Sequence, residues 1–195
     1  YNATPQGAQP GDLLYKDLNG DGKIDDNDMK AFPRIQRDRP TTNFALSGNF
    51  EWKGFDLSIM FQGAAGRKTF WLTANNNPDL QEARQATTWD HWTKPWSLEN
   101  RGGEWTRLGG ANNRKESTFW LDNLAYLRLK NLQLGYTIPQ NRLKKIGLSS
   151  IRMYVSADNL ATITKFRGLD PEKEGNINDG YPLVKSFTFG INVGI

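Results

Sequence analysis

The sequence predicts an all-β fold: about five antiparallel strands that form the carboxyl-terminal part of a large transmembrane β-barrel, with long extracellular loops and short periplasmic turns. Several segments alternate apolar with polar residues, which is the period of two of a β-strand. The connections between these segments are alternately short and long, as in outer-membrane barrels. Since the smallest single-chain barrels have about eight strands, about five strands indicate one part of a larger barrel.

Composition excludes several other classes of protein. The chain has 195 residues, of which 37% are hydrophobic. No apolar run reaches the length of about 18 residues that a membrane-spanning helix needs. The chain has no cysteine and a single histidine, His91, so we expect neither a disulfide framework nor a thiolate or paired-histidine metal site. The net charge is +4, but the basic residues are scattered, so no nucleic-acid partner is expected.

Residues 1–41 are predicted to form an extracellular loop region, and residues 17–28 match the spacing of a calcium-binding loop. Oxygen-bearing side chains recur at alternate positions, Gly22 stands where such a loop turns sharply, and Ile24 is its apolar anchor. Ca²⁺ prefers hard oxygen ligands, and Lys23 would contribute its backbone carbonyl. The predicted ligands of a structural Ca²⁺ ion are Asp17, Asn19, Asp21, Lys23, Asp25 and Asp28. The alternative is a metal-free turn rich in Asp and Asn.

Residues 42–195 are predicted to hold the barrel strands, and the clearest pair is a β-hairpin. Residues 43–52 and 55–62 each alternate apolar with polar side chains, and the two-residue turn Lys53-Gly54 joins them. Since successive side chains of a strand point to opposite faces, the hairpin is expected to have one apolar face and one polar face.

A third strand is predicted over residues 119–139, and its pattern changes partway. Its apolar residues are odd-numbered up to Leu129 and even-numbered from Leu132 onward, so a β-bulge is expected at Lys130-Asn131. Residues 140–150 are predicted to follow as a turn that contains one helical turn.

The fourth strand is predicted over residues 151–157 with a continuation at 162–164, and the fifth over residues 183–195. The alternating part of the fifth strand has about ten residues, the length at which a tilted strand crosses a bilayer. Its small and polar residues are expected to face the lumen. Its lipid-facing residues are predicted to be Phe187, Phe189, Ile191, Val193 and Ile195.

Two long connections are predicted, over residues 64–118 and 165–182. A structureless loop as long as the first is rare in a compact soluble domain but ordinary on the external side of a barrel. It includes a predicted short helix near residues 80–88. Its tryptophans are expected either to pack within the loop or to stack on sugars: Trp89, Trp92, Trp96 and Trp105.

Connection lengths also predict sidedness. The short turns, at residues 53–54 and 139–150, alternate strictly with the long connections along the chain. Since short turns are periplasmic in outer-membrane barrels, the fifth strand is predicted to end in the periplasm. The calcium-type loop precedes a strand that runs in the same direction, so this loop is expected outside the cell.

Several segments resemble the SusC/RagA type of TonB-linked outer-membrane proteins of Bacteroidetes, which are TonB-dependent transporters. The resemblance is carried, in the order of the family, by residues 11–25, 52–58, 61–63, 126–136, 154–160, 168–172 and 186–192. These segments include the calcium-type loop, the hairpin turn and the final strand. Together they span nearly the whole chain and correspond to the carboxyl-terminal region of the family.

The resemblance implies a large plugged barrel in the cell outer membrane that imports nutrients such as glycans or peptides. It implies three partners: a SusD-like surface lipoprotein, outer-membrane lipid around the strands, and TonB, which acts through parts that this chain does not contain. The calcium-type loop is expected near the contact with the lipoprotein.

No enzymatic activity is expected. The sequence contains no arrangement of Ser, His and Asp that indicates a nucleophilic triad. Glu172 and Glu174 are expected to be solvated loop charges, because a glycosidase pair needs a defined separation across a cleft.

The main alternative is a soluble, calcium-dependent β-sandwich that binds carbohydrate through its tryptophans. A dockerin-like module is less consistent, because such a module is helical and repeats its calcium loop. A folded monomer that needs no detergent would favour the sandwich, whereas a requirement for detergent and for further strands would favour the barrel.

Overall fold

The structure is a computed structural model that describes residues 8–31, 40–70, 94–115, 117–167, 170–172 and 183–195. Contacts within the chain define two compact units. The first consists of Tyr1–Ile35 and Phe70–Leu121, and the second consists of Gln36–Thr69 and Asp122–Ile195. The predicted boundary at residue 41 concerns membrane sidedness, so these contacts do not test it.

Most of the second unit is one antiparallel sheet. Its strands are β1 (Thr42–Trp52), β2 (Phe55–Ala65), β5 (Tyr126–Ile138), β6 (Ser150–Thr164) and β7 (Ser186–Gly194). The spatial order of this five-stranded sheet is β1-β2-β5-β6-β7, so its edges are β1 and β7 and it is open within this chain. A separate two-stranded sheet pairs β3 (Lys68–Phe70) with β4 (Leu121–Asn123). The predicted all-β class is confirmed.

The predicted hairpin is confirmed in register and in turn geometry. Trp52 pairs with Phe55, so Lys53 and Gly54 alone form the turn. Their φ angles are +49° and +89°, and two successive positive φ angles are what a tight hairpin turn of the primed type requires. The turn is also tied to the next strand, because the Thr137 N–H donates to the Gly54 carbonyl at 2.7 Å.

The predicted β-bulge is confirmed at Lys130. Along β2, Met60 pairs with Asn131 and Phe61 pairs with Leu129, so Lys130 is an extra residue in β5. The pairing of β5 with β6 is irregular at the same place. The extra residue explains the sequence pattern, because it brings the odd-numbered apolar residues before the bulge and the even-numbered ones after it onto the same face.

The prediction of one continuous strand over residues 119–139 was wrong. The chain forms a 3-10 helix at Thr118–Trp120 and then β4, and β5 begins only at Tyr126. The contacts of Leu124 and Asn123 account for the interruption. Leu124 is 2% exposed and its N–H donates to the carbonyl of Arg67 at 3.0 Å. The Asn123 side chain accepts the Ala125 N–H at 3.0 Å, which turns the chain there.

The remaining connections differ from the predictions in two places. The connection predicted over 64–118 begins later, because β2 continues to Ala65, and it contains the short strand β3 (Lys68–Phe70). Between β5 and β6 lie α1 (Gln140–Leu143) and a 3-10 helix (Lys144–Ile146), where a single helical turn was predicted. β6 is one unbroken strand, so the predicted continuation at 162–164 is confirmed. No helix in the described ranges is long and apolar enough to cross a membrane.

The first unit has little regular structure in its described residues, which are mostly turns and short 3-10 helices. One such helix, Asp26–Asp28, lies in the calcium-type loop, and another is Ala111–Arg114. Pro95 and Trp105 form an isolated parallel bridge. The predicted helix at 80–88 lies outside the described residues, as do Trp89 and Trp92.

Candidate functional site

One face of the five-stranded sheet is apolar from edge to edge. A single row of paired residues crosses all five strands and consists of Phe50, Leu57, Leu134, Val155 and Phe189. Phe50 and Phe189 are 64% and 66% exposed, and Leu134 and Val155 are 48% and 51% exposed. Exposure of such a surface to water is unfavourable, since each Å² of exposed apolar area costs about 25 cal/mol of free energy. This face therefore needs an apolar phase against it.

The residues of β7 that were predicted to face lipid lie on this apolar face. Their pairs across β6 are Phe187 with Ala157, Phe189 with Val155, Ile191 with Met153 and Val193 with Ile151. The four β7 side chains are between 54% and 74% exposed. The alternation that the sequence shows is therefore realised as two chemically different faces.

The opposite face of the sheet is polar. The row of paired residues adjacent to the apolar row lies on this face and consists of Glu51, Asp56, Gly135, Tyr154 and Gly190. The guanidinium of Arg152 donates from Nε to Asp56 Oδ1 at 2.9 Å, and its Cζ lies 5.0 Å from the centre of the Tyr154 ring. A groove of about 750 Å³ beside the β1–β2 turn is lined by Asp56, Gln133, Thr137, Arg152 and their neighbours. This face suits contact with water or with polar protein groups.

A buried ion-pair cluster lies near the first residues of β5. The Arg128 side chain is 4% exposed, and its Nη2 donates to Asp170 Oδ1 at 2.8 Å. Its Nη1 donates to Glu172 Oε2, and its Nε donates to Thr162 Oγ1 at 2.9 Å. Arg67 Nη2 donates to the carbonyl of Pro171 at 2.6 Å. Residues 170–172 are thus held against the polar face.

The surroundings of Asp170 keep its carboxyl ionised, and the carboxylate stabilises the ion-pair cluster. Burial alone would raise the pKa of its carboxyl, but the Glu172 N–H and the Arg128 guanidinium outweigh burial and lower that pKa below its ordinary value. The Leu183 N–H adds a further donor, at 3.2 Å from Oδ2. The carboxylate therefore joins a strand and both sides of the connection between β6 and β7.

The predicted calcium-type loop is closed by its own carboxylates. Asp17 accepts the N–H groups of Gly20 at 2.6 Å and Gly22 at 2.8 Å. Asp28 accepts the Leu18 N–H at 2.7 Å and the Asp25 N–H at 3.0 Å, which ties the two ends of the loop together. These backbone donors lower the pKa of the Asp28 carboxyl. The loop thus keeps Asp28 ionised.

The other predicted ligand residues lie in the same turn. Asn19 Oδ1 accepts the Asp21 N–H at 2.9 Å, Asp21 Oδ1 accepts the Lys23 N–H at 2.8 Å, and Asp25 Oδ1 accepts the Asn27 N–H at 2.8 Å. The sharp turn predicted at Gly22 is present, with a φ of +79°.

The donor set of the loop fits Ca²⁺ in type but is not gathered into a cluster. Among the described residues, no three Asp, Glu, His or Cys side chains converge as metal ligands would. Each carboxylate oxygen that accepts one N–H keeps a second lone pair, so these hydrogen bonds leave the oxygens able to bind an ion. The loop is therefore a turn whose side-chain oxygens are held in place by hydrogen bonds from backbone N–H groups.

A hydrogen-bond network in the first unit holds the segment that leads into this loop. Arg107 Nε and Asn113 Nδ2 donate to Asp12 Oδ1 at 2.6 and 3.0 Å, and the Leu13 N–H donates to Asn113 Oδ1 at 2.7 Å. Burial alone would raise the pKa of Asp12, but the Arg107 guanidinium and the other donors lower it overall. Burial raises the pKa of Tyr15 to about 12, so its hydroxyl stays a donor to the Asn112 carbonyl.

Trp105 and Trp120 of the first unit serve packing. Trp105 is 9% exposed and Trp120 is 1% exposed, and their ring centres lie 6.2 Å apart. The ring of Phe119 meets that of Trp120 edge to face with centres 4.9 Å apart. Trp120 Nε1 donates to the Asn113 carbonyl at 2.7 Å. Trp105 therefore packs within the chain, which is one of the two roles predicted for these tryptophans.

The ion pairs of Arg107, Arg128 and Arg152 were not predicted from the sequence, and the prediction for Glu172 was wrong. Glu172 is ion-paired with Arg128 rather than a solvated loop charge, and Glu174 lies outside the described residues. The sequence contained only an indirect indication of the Arg128 cluster: residues 168–172 belong to the segments that carry the family resemblance. The strand position of Arg128, polar among apolar neighbours, was a second signal.

Comparisons with known proteins agree with this geometry. TonB-dependent receptor P3 of Formosa agariphila is 32% identical over 209 aligned residues, which cover 95% of this chain. TonB-dependent receptor SusC of Bacteroides thetaiotaomicron is 25% identical over 96% of this chain. The RagAB peptide importer in its open-open state superposes with a TM-score of 0.61 and 28% identity over 80% of this chain. The resemblance to SusC/RagA-type TonB-dependent receptors is confirmed.

The match covers only part of these receptors. The chain spans 19% of the P3 receptor, 18% of SusC and 17% of the RagAB chain. No protein-family model matches the chain. The five-stranded sheet corresponds to part of a SusC/RagA-type receptor, and the predicted outer-membrane location is confirmed. The relatives are receptors and transporters, which is consistent with the expected absence of enzymatic activity.

Proposed function

We propose that this chain forms part of the barrel wall of an outer-membrane transporter that imports nutrients such as glycans or peptides under TonB drive. The observation that carries the proposal is the separation of the sheet into an apolar face and a polar face. Phe50, Leu134 and Phe189 lie in one row, and Glu51, Asp56 and Tyr154 lie in the next. A barrel wall between lipid and an aqueous lumen needs this arrangement.

The strand lengths support the same proposal. β1 and β2 each have 11 residues, β5 has 13, β6 has 15 and β7 has 9. A tilted strand needs about 9–11 residues to cross the hydrocarbon layer. The five strands are therefore long enough to cross a membrane over their common apolar band.

The partners of the transporter are part of the proposal. One solved relative is named a peptide importer, RagAB, and another relative is SusC. We infer a SusD-like surface lipoprotein as the external partner and TonB as the energy-coupling partner. The chain covers about a fifth of its relatives, so TonB would act through parts of the protein outside it.

The barrel-wall proposal is tested by placing one charge on either face of β7 in the full-length receptor. Phe189→Arg puts a guanidinium in the lipid-facing row, where it costs about 2–4 kcal/mol near the membrane midplane. The neighbouring Thr188→Arg, the matched control, puts the same group on the polar face. We expect Phe189→Arg to lower the folded fraction in outer-membrane extracts, as judged by heat-modifiable migration.

Thr188→Arg should fold like the wild type. Equal damage from both substitutions, or none from Phe189→Arg, would contradict the assignment of the two faces. Import is measured in the same cells with oligosaccharides and with peptides. Uptake by the wild type should depend on the proton-motive force, and the lipoprotein should co-purify with it.

We also propose that the calcium-type loop binds Ca²⁺ as a structural ion. The residues that would hold it are Asp17, Asn19, Asp21, Lys23 through its carbonyl, Asp25 and Asp28. The ion would supply positive charge to a turn that carries several carboxylates and would thereby order it. The proposal is supported by the ligand spacing and by the backbone hydrogen bonds that already shape the turn.

The calcium proposal is tested by measuring Ca²⁺ binding to the full-length receptor by calorimetry and loop order by limited proteolysis. Asp21→Ala removes a predicted ligand and should weaken binding by about tenfold or more. Asp26→Ala is the matched control, because Asp26 is an exposed neighbour outside the ligand set. Unchanged proteolysis after chelation, or equal effects of the two substitutions, would argue against a calcium site.

The soluble β-sandwich receives no support from the described residues. They build one five-stranded sheet and a two-stranded ribbon, and no second large sheet covers the apolar face. The relatives are TonB-dependent receptors rather than carbohydrate-binding modules.

A further inference from the structure

At one end of the strands lie the turn Lys53-Gly54, residues 139–149 and the end of β7. We call this end of the strands the short-turn edge, which is distinct from the edge strands β1 and β7. The pairs Trp52 with Phe55, Ile138 with Ile151 and Ser150 with Gly194 place these segments at one edge. If the sheet is part of a barrel wall, this edge lies at one membrane–water interface.

The short-turn edge carries more positive than negative charge. Lys53, Arg142, Lys144 and Lys145 are all exposed, and none forms an ion pair within the part of the chain that the structure describes. Two carboxylates lie nearby: Asp56 is already paired with Arg152, and exposed Glu51 pairs with Asp56 across the hairpin on the polar face. This edge therefore offers several cations to a partner of opposite charge.

Aromatic side chains lie at the same end of the sheet, on its apolar face. Trp52 and Phe55 are 59% and 49% exposed, and the ring centres of Phe55 and Tyr136 are 4.6 Å apart. Lys53 Nζ lies 4.9 Å from the centre of the Trp52 ring. Tryptophan and tyrosine favour the depth of lipid headgroups, where one end of the ring is apolar and the other is wet. Cations at this depth meet headgroup phosphates.

We propose that the short-turn edge binds the headgroups of anionic phospholipids, with Arg142, Lys144 and Lys145 on the phosphate oxygens and the aromatic row at the depth of the interface. The proposal rests on the barrel-wall function above. Exposed Ile146, at 64%, lies next to the three cations and offers apolar contact to the acyl region. The edge would thus fix the depth of the strands in the bilayer.

A local alternative explains the same cations without lipid. Arg142, Lys144 and Lys145 follow one another around α1 and the next 3-10 helix, whose terminal carbonyls favour positive charge. That effect requires no partner and no dependence on lipid type. The two explanations are therefore separated by lipid binding.

The test uses the full-length receptor inserted in nanodiscs of mixed phosphatidylcholine and phosphatidylglycerol, followed by native mass spectrometry of the retained lipid. The variant Arg142→Gln, Lys144→Gln, Lys145→Gln should retain about half or less of the phosphatidylglycerol that the wild type retains. The control variant Lys68→Gln, Lys165→Gln, Lys185→Gln makes the same charge change at exposed residues beyond the opposite ends of β2, β6 and β7. The control should retain phosphatidylglycerol like the wild type.

Three results overturn the proposal: no loss in the triple variant, equal loss in both variants, or equal loss of phosphatidylcholine. If the triple variant does not insert, the single variants Lys144→Gln and Lys145→Gln are compared in the same way. A wild-type receptor that does not insert contradicts the barrel-wall function. A wild-type receptor that inserts but shows no preference for phosphatidylglycerol contradicts the headgroup site alone.

Discussion

Arg128 illustrates how single residues fix the connection between β6 and β7. Its side chain is 4% exposed and faces two carboxylates, Asp170 and Glu172, which are 5% and 31% exposed. Two buried charges are costly to remove from water, and they are retained where partners and hydrogen bonds are complete. The guanidinium fork provides that completeness, because it reaches both carboxylates and the Thr162 hydroxyl at once.

We expect Arg128→Gln in the full-length receptor to release the β6–β7 connection. Removal of one partner from a buried ion pair leaves a carboxylate without compensation, at a cost of about 3–5 kcal/mol. Limited proteolysis should therefore show new cleavage between β6 and β7. Arg128→Lys should give less cleavage, since it keeps the charge but loses the fork. Exposed Lys165→Gln is the control, and cleavage as strong in it as in Arg128→Gln would contradict a role of the Arg128 ion pairs in holding this connection.

The same cluster should resist mild acid. The pKa of the Asp170 carboxyl is lowered from 3.8 in the folded chain. A group with a lowered pKa contributes stability above its ordinary pKa and loses it as the pH falls through the folded value. Proteolysis between β6 and β7 should thus be unchanged from about pH 7 to about pH 5 and should increase only below about pH 4. Release at pH 5 would contradict this assignment.

At the scale of the elements, the β1–β2 hairpin depends on its turn residues. Gly54 has a φ of +89°, and a Cβ there would lie 2.8 Å from the Thr137 carbonyl oxygen. The turn therefore needs glycine for two reasons, its left-handed backbone and the close approach of β5. Lys53, with a φ of +49°, meets only the first condition.

Gly54→Ala should destabilise the hairpin in the full-length receptor. The positive φ costs an L-residue about 1–2 kcal/mol, and the contact with the Thr137 carbonyl adds to it. The measurement is the thermal transition of the detergent-solubilised receptor. Lys53→Asn is the matched control, because Asn tolerates the left-handed region, and its transition should stay close to that of the wild type. A wild-type transition for Gly54→Ala would show that the turn is not strained.

The bulge at Lys130 connects an element to its sequence pattern. The parity of apolar residues changes between Leu129 and Leu132, and one extra residue restores a single apolar face. Without it, Arg128 would lie in the lipid-facing rows instead of near Asp170 and Glu172. The bulge therefore determines which face receives the buried ion-pair cluster.

At the scale of the whole molecule, the sheet is an open section with edges at β1 and β7 and one apolar face. Exposed edges and an apolar face of this size would promote association in water. Both features are expected of a section of barrel, where lipid covers the face and neighbouring strands cover the edges. The relatives are about five times as long as this chain.

The sequence by itself determined the five strands of the main sheet, the hairpin turn, the bulge and the two faces, but not the short strands β3 and β4. These features depend on local chemistry: alternation of side chains, the need for glycine at Gly54, and the change of parity at Lys130. The order of the segments along the chain was also sufficient to recognise the family resemblance. The interruption at Leu124 was missed, because it arises from a hydrogen bond to the distant Arg67 carbonyl.

Only the tertiary structure decided which charges meet. Arg128 is 42 residues from Asp170, Asp56 is 96 residues from Arg152, and Asp12 is 95 residues from Arg107. A charged residue in a sequence has many possible partners, and strand register selects one of them. The faces of the sheet follow from a period of two residues, which the chain carries locally. The ion pairs follow from the packing of segments far apart in the chain, and that packing exists only in the fold.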